Sequence, residues 1–235
     1  MKSIRSAAVV VGILYIVGTV SGVLGAAAVS GLLGGPDTLG QVAAHANQVR
    51  WGALCILAMG VSLALVPAVL YPILSRLSRP LAVGYLIFRG ALETFTYLAV
   101  ASCWLILVAT AEQARGAGEG VRAQLGSVAE ILVKAQDPII TAVQDLTFGI
   151  GAMMLYYLLY QGRLLPRWLS VWGLLGAVAY FAGGLVAVFG ANPMYLLLLL
   201  GVQEMVMAVW LIVKGFNTDA PVFHSTRSDP RALLV

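Results

Sequence analysis

The chain reads as an all-α integral membrane protein, a bundle of six transmembrane helices. Three observations predict this. Of its 235 residues, 60% are hydrophobic and only 10% are charged; a soluble domain carries about 25% charge and cannot hide this much apolar surface. Six segments reach roughly the 20 mostly apolar residues that cross a bilayer. The basic residues between them fall on alternate connections, as membrane topology requires. Lipid-exposed backbone must satisfy itself internally, so helices are the spanning form expected here.

The first span covers residues 7–33. Its basic start (Lys2, Arg5) resembles a signal peptide, but the apolar run exceeds the roughly 7–15 residues of a signal core, and more spans follow. The next stretch, "GGPDTLGQVAAHANQVRW", opens on turn residues and offers Asp37 as the N-cap of a short helix. Spans two and three cover 49–74 and 81–111. The 112–138 segment then sets Val121, Leu125, Val128 and Leu132 at helical spacing. This predicts an amphipathic helix in the outer loop, on the membrane surface or capping the bundle; its polar face is mixed in sign, which favours capping. Spans four, five and six follow at 139–160, 168–190 and 193–213, with a turn at Asn192–Pro193. Residues 1–216 form one domain, and 217–235 a polar, mobile tail.

One set of connections (Lys2, Arg5, Arg76, Arg79, Arg163, Arg167, Lys214, Arg227, Arg231) holds nine basic and two acidic residues, Asp219 and Asp229. The other holds four basic (Arg50, Arg115, Arg122, Lys134) and five acidic residues (Asp37, Glu112, Glu119, Glu130, Asp137). The positive-inside rule puts both termini in the cytoplasm. Tyr71, Tyr156, Tyr157, Tyr160, Trp168, Trp172 and Trp210 are expected at that interface, with Trp51, Trp104 and Tyr195 toward the other. Glycine-rich faces on spans one and five suit close packing within the chain or dimerisation. Cys55 and Cys103 read as free core thiols. No basic patch interleaved with aromatics points to nucleic acid. His45 and His224 both lie outside the spans, so no haem, metal site or other cofactor is indicated. No catalytic Ser/His pattern indicates an enzyme.

Four ionisable residues lie deep in the spans: Arg89, Glu93, Asp145 and Glu204. Each costs about 2.5–3.5 kcal/mol at a helix centre on insertion scales, so each should face the interior and find a partner. At about 1.5 Å per residue, Arg89 and Glu204 lie about 12 and 14 Å from the cytoplasmic helix ends, and Glu93 and Asp145 about 18 and 22 Å. Arg89 and Glu93 share a helix face at i, i+4. Gln144 and Gln203 add polar capacity beside two of the carboxylates. Three carboxylates with one arginine leave two negative charges, which call for a proton or a cation. Three readings remain: a structural or signalling protein whose network only fixes helix packing; a site for a small cationic or amphipathic substrate, with proton coupling; and a lipid-handling protein, which would show a lateral opening lined by apolar residues with basic groups at the cytoplasmic rim. At the outer entrance of span two, Asn47, Gln48 and Arg50 read either as an interfacial anchor or as the rim of an outward-opening cavity.

The segments "LYIVGTVSGVLG", "ANQVRWGAL", "LYPIL", "GYLIFRGALE", "LYYLLYQGRLLPRWLSVWGLLG" and "QEMVMAVWLIVKGF", in this order and spacing, resemble the bacterial membrane-protein family catalogued as domain of unknown function 4386. The resemblance runs from about Arg5 to Phe216. It implies a multi-pass protein of the bacterial plasma membrane and no assigned activity. Asn47, Gln48, Tyr71, Pro72, Gly84, Arg89, Glu93, Arg163, Pro166, Arg167, Trp168, Glu204 and Gly215 fall on its motifs; Asp145 has no place in the pattern.

Overall fold

The computed structural model describes residues 2–190 and 194–224, and every regular element among them is helical. The helices are α1 (Lys2–Val29), α2 (Thr38–Ala44), α3 (Ala46–Leu74), α4 (Arg79–Ala114), α5 (Glu119–Lys134), α6 (136–161), α7 (Arg167–Val188) and α8 (Met194–Val213). Among the described residues, α1, α3, α4 and α7 are long and apolar enough to cross a membrane. In α8 the stretch Leu198–Val213 is apolar but shorter. α6 carries a π segment, Ile139–Gln144, before its regular part, Asp145–Gln161. A second π segment, Leu86–Leu92, interrupts α4. The Asn192–Pro193 turn, the first residue of the predicted sixth span, and 225–235 of the tail lie outside the described residues.

Six long helices close a ring in the order α1, α3, α4, α6, α7, α8 and back to α1. Lipid gives no hydrophobic drive for helices to associate, so contact depends on close packing. The glycines of spans one and five provide it within the chain. Gly25 of α1 lies against Ile56 and the backbone of Gly52 in α3, and Gly176 of α7 lies against Leu200 of α8. One end of the bundle gathers the start of α1, the α3–α4 and α6–α7 connections, and the end of α8: Arg5 donates to the carbonyl of Ile212 (2.6 Å), and Asn217 N donates to the carbonyl of Leu164 (2.9 Å).

The end of the bundle that carries α2 and α5 matches the expectation in outline. Asp37 caps α2 by accepting from Gly40 N (3.2 Å). Amphipathic α5 packs on α4 and α2, as a cap would. Its inward residues are Leu125, Ala129, Leu132 and Val133, whereas Val121 and Val128 are exposed. The apolar stripe is therefore rotated from the expected one.

Three features are more buried than expected. Tyr156 is not an interfacial anchor; it is fully buried and donates to Gln203 Oε1 (2.5 Å). Trp104 is likewise in the core, where its indole donates to Gln136 Oε1 (2.6 Å). The tail does not leave the bundle at 217: Phe216, Ala220 and Val222 are buried, and Pro221–Phe223 forms a 3-10 turn. Cys55 and Cys103 are free and partly buried.

Candidate functional site

Arg89 stands in the π segment of α4, one helical turn before Glu93. Its Nη1 donates to both Glu93 oxygens at 2.9 Å, and its Nη2 reaches Glu204 Oε1 of α8 at 3.3 Å. The arginine and Glu93 are 2% and 1% exposed, while the Glu204 side chain is 12% exposed. The guanidinium also lies 4.5 Å from the Phe148 ring centroid and 5.6 Å from that of Tyr15. Both distances are within reach of cation–π attraction. Arg89 Nε, also buried, makes no hydrogen bond among the described residues. Glu93 further accepts from the Tyr97 hydroxyl.

Asp145 does not touch this group. It follows the π segment of α6, is buried, and accepts from the Tyr180 hydroxyl of α7 at 2.9 Å. The Tyr180 ring packs edge-on against Phe148 at 4.6 Å, and Phe148 is the ring beneath Arg89. The fourth charge is thus joined to the other three through two aromatics. Gln144 is nearer: its Oε1 accepts from Thr96 (3.4 Å), one turn from Glu93. Gln203 serves elsewhere, bridging Tyr156 to the carbonyl of Leu169 (3.1 Å).

Two glycines let the helices approach here. A Cβ at Gly151 of α6 would lie 3.4 Å from Arg89 N, and one at Gly184 of α7 would lie 2.8 Å from Asp145 Cβ. Two of the three charge-bearing helices, α4 and α6, also have a π segment at or just before the charge, a feature common at functional sites.

A cavity of about 290 Å³ meets the cluster. All six ring helices line it: Thr19, Gly22 and Val23 from α1, Met59 and Leu63 from α3, and Arg89, Glu93 and Tyr97 from α4. Gln144 and Phe148 come from α6, Tyr180 from α7, and Gly201 and Glu204 from α8. Val23 and Gly201 are exposed, so the cavity opens between α1 and α8 at these residues. Toward the other end these helices close up, with Gly12 against Ala208 and Ile212. With all groups ionised, Arg89, Glu93 and Glu204 leave one unbalanced negative charge facing this space.

The outer polar group is used differently. Arg50 donates to Asn47 Oδ1 (2.9 Å) and Glu112 Oε1 (2.7 Å), and Gln48 donates to the carbonyl of Ala28 (2.9 Å). These bonds tie α3 to α4 and α1, and none of the three residues lines the cavity. A larger cavity, about 720 Å³, lies between the 34–39 loop and α5. Four of its five charges are already paired, Arg122 with Asp37 (3.8 Å) and Lys134 with Glu130 (2.6 Å). The Lys134 hydrogen bond holds the Glu130 carboxyl below the usual range.

Sequence reasoning missed Tyr97, Phe148 and Tyr180. Tyr97 had a signal, because it continues the Arg89–Glu93 stripe at i+4. Phe148 and Tyr180 had none, since their partners lie on other helices. No curated protein and no solved structure matches the chain. A family match covers residues 10–215, so the chain belongs to the family described as Domain of unknown function (DUF4386).

Proposed function

We propose that this is a six-span protein of the bacterial plasma membrane, both termini cytoplasmic, that binds or transports a small cationic or amphipathic molecule. Residues 1–216 form the transmembrane domain. The observation that carries the reading is the cavity of about 290 Å³ in contact with Arg89, Glu93 and Glu204. That volume sits at the lower edge of ligand pockets, which run about 300–1,000 Å³. Its unbalanced negative charge suits a monovalent organic cation, and the Phe148, Tyr97 and Tyr180 rings suit the cation's apolar part. Glu204, the most accessible of the charged groups, is the residue to exchange a proton for the cation. Arg89 is the fixed counter-charge. Asp145 acts at one remove, through Tyr180.

In the second reading the network only fixes helix packing. The observation favouring it is that Arg89 is already paired to both glutamates. Uptake of labelled benzyltrimethylammonium into proteoliposomes under an imposed pH gradient separates the two. Transport predicts uptake by the wild type that is lost in Glu93→Gln and Glu204→Gln while both variants stay folded. The packing reading predicts no uptake by any form.

A further inference from the structure

A second cavity, about 440 Å³, lies at the basic end of the bundle, away from the charge cluster. It is lined by Arg163, Leu165, Pro166 and Arg167, by Trp210 and Lys214 at the end of α8, and by Gly215, Phe216 and Asn217. Three cations and no carboxylate line it. None of the three forms an ion pair among the described residues. Arg167 rests near the Tyr160 ring, 6.0 Å from its centroid.

The scaffold holds these cations together rather than letting them spread. Arg163 has φ +51, a left-handed backbone that non-glycine residues seldom adopt. It is fixed there by Asn217, whose Nδ2 donates to the Arg163 carbonyl (3.2 Å) and whose backbone N donates to that of Leu164 (2.9 Å). Leu164, Leu165 and Phe216 are buried beneath. Lys214 has the ordinary alternative of capping the carbonyls that end α8. Arg5 already does this, bonding Leu211, Ile212 and Val213, so the Lys214 amine is left to the cavity.

The surroundings have the polarity of a headgroup region. Trp168 stacks edge-on with Trp210 (6.1 Å) and lies beside Trp172 (6.4 Å), an aromatic group of the kind found at membrane interfaces. From the cavity, exposed apolar residues run along α7 (Trp168, Val171) and α8 (Val213, Val209). We propose that Arg163, Arg167 and Lys214 form a binding site for the phosphate of an anionic phospholipid whose chains lie on those faces of α7 and α8. Basic pockets between transmembrane helices are a known way of holding such headgroups. This site is independent of the central cavity.

Native mass spectrometry of the full chain in neutral detergent tests it, titrating phosphatidylglycerol, phosphatidylcholine and inorganic phosphate separately. Phosphatidylglycerol is expected to bind in preference to phosphatidylcholine. At about fivefold per basic residue near a headgroup, Arg163→Gln, Arg167→Gln and Lys214→Gln should each weaken it about fivefold, and the triple variant about a hundredfold. Arg76→Gln/Arg79→Gln, at the same end but outside the cavity, should leave it unchanged. Equal loss in that control, or equal binding of the two lipids, overturns the proposal. Saturation by inorganic phosphate as tight as by phosphatidylglycerol overturns the lipid assignment. Should the triple variant melt early without lipid, the single variants decide the matter.

Discussion

Replacing Arg89 by Met keeps an unbranched apolar stem and removes the guanidinium and its charge. In the wild type the guanidinium makes two 2.9 Å bonds to Glu93 and one 3.3 Å bond to Glu204. Charge-assisted bonds contribute about 1.5–3 kcal/mol each before the cost of burying the ions is set against them. The larger effect is what remains: two buried carboxylates without a counter-charge. Breaking a buried pair from one side costs about 3–5 kcal/mol, and the variant should fall in that range. Glu204→Gln should cost less, about 1 kcal/mol, because that bond is longer and its carboxylate partly accessible. Glu93→Gln should lie between the two. Denaturation in mixed micelles, followed by the loss of helical circular dichroism, measures these differences. A double-mutant cycle on Arg89 and Glu93 should give a coupling of about 1.5 kcal/mol or more. If Arg89→Met costs under about 1 kcal/mol, or the cycle is additive within about 0.5 kcal/mol, the cluster is not a desolvated ion network and the reasoning fails.

Four further variants have expected outcomes. Gly184→Ala puts a Cβ 2.8 Å from Asp145 Cβ and should lower stability by about 1–3 kcal/mol; Gly201→Ala meets nothing within 4 Å and should be neutral or slightly stabilising in the same denaturation assay. Tyr180→Phe removes the one side-chain donor that Asp145 has among the described contacts, costing about 1–3 kcal/mol by the same measurement while the edge-on packing against Phe148 stays. Arg50→Gln breaks a pair whose side chains are 43% and 45% exposed, so the change should stay below about 1 kcal/mol and shrink further in added salt.

The extent to which the sequence foretold all this follows from which contacts are local. Apolar length and the charge of the connections are written along the chain, so all six long helices were legible, most within a few residues of their observed bounds. The similar levels of Arg89 and Glu204 were legible, because depth counted in residues carries over to height in an antiparallel bundle; which of the four charges meet was left open. The partner of Asp145 was not legible: which way it faces depends on Gly184 and Tyr180 of another helix. The same limit hid the burial of Tyr156 and Trp104. An aromatic near a helix end reads as an interfacial anchor unless its partner, here Gln203 or Gln136, is known. The π segments at 86–92 and 139–144 carried no periodic signal. The burial of Phe216, Ala220 and Val222 was obscured by the polar residues around them.

The account rests on Glu204 presenting its charge to a cavity that a cation can enter. Equilibrium binding of benzyltrimethylammonium to the detergent-solubilised protein, wild type against Glu204→Gln, tests this most directly. The predicted result is saturable binding by the wild type, with proton release on binding, and at least about a tenfold loss of affinity in the variant, as expected when a buried opposite charge is withdrawn. Saturable binding that is equally tight in Glu204→Gln, or no binding by a folded wild type, would contradict it.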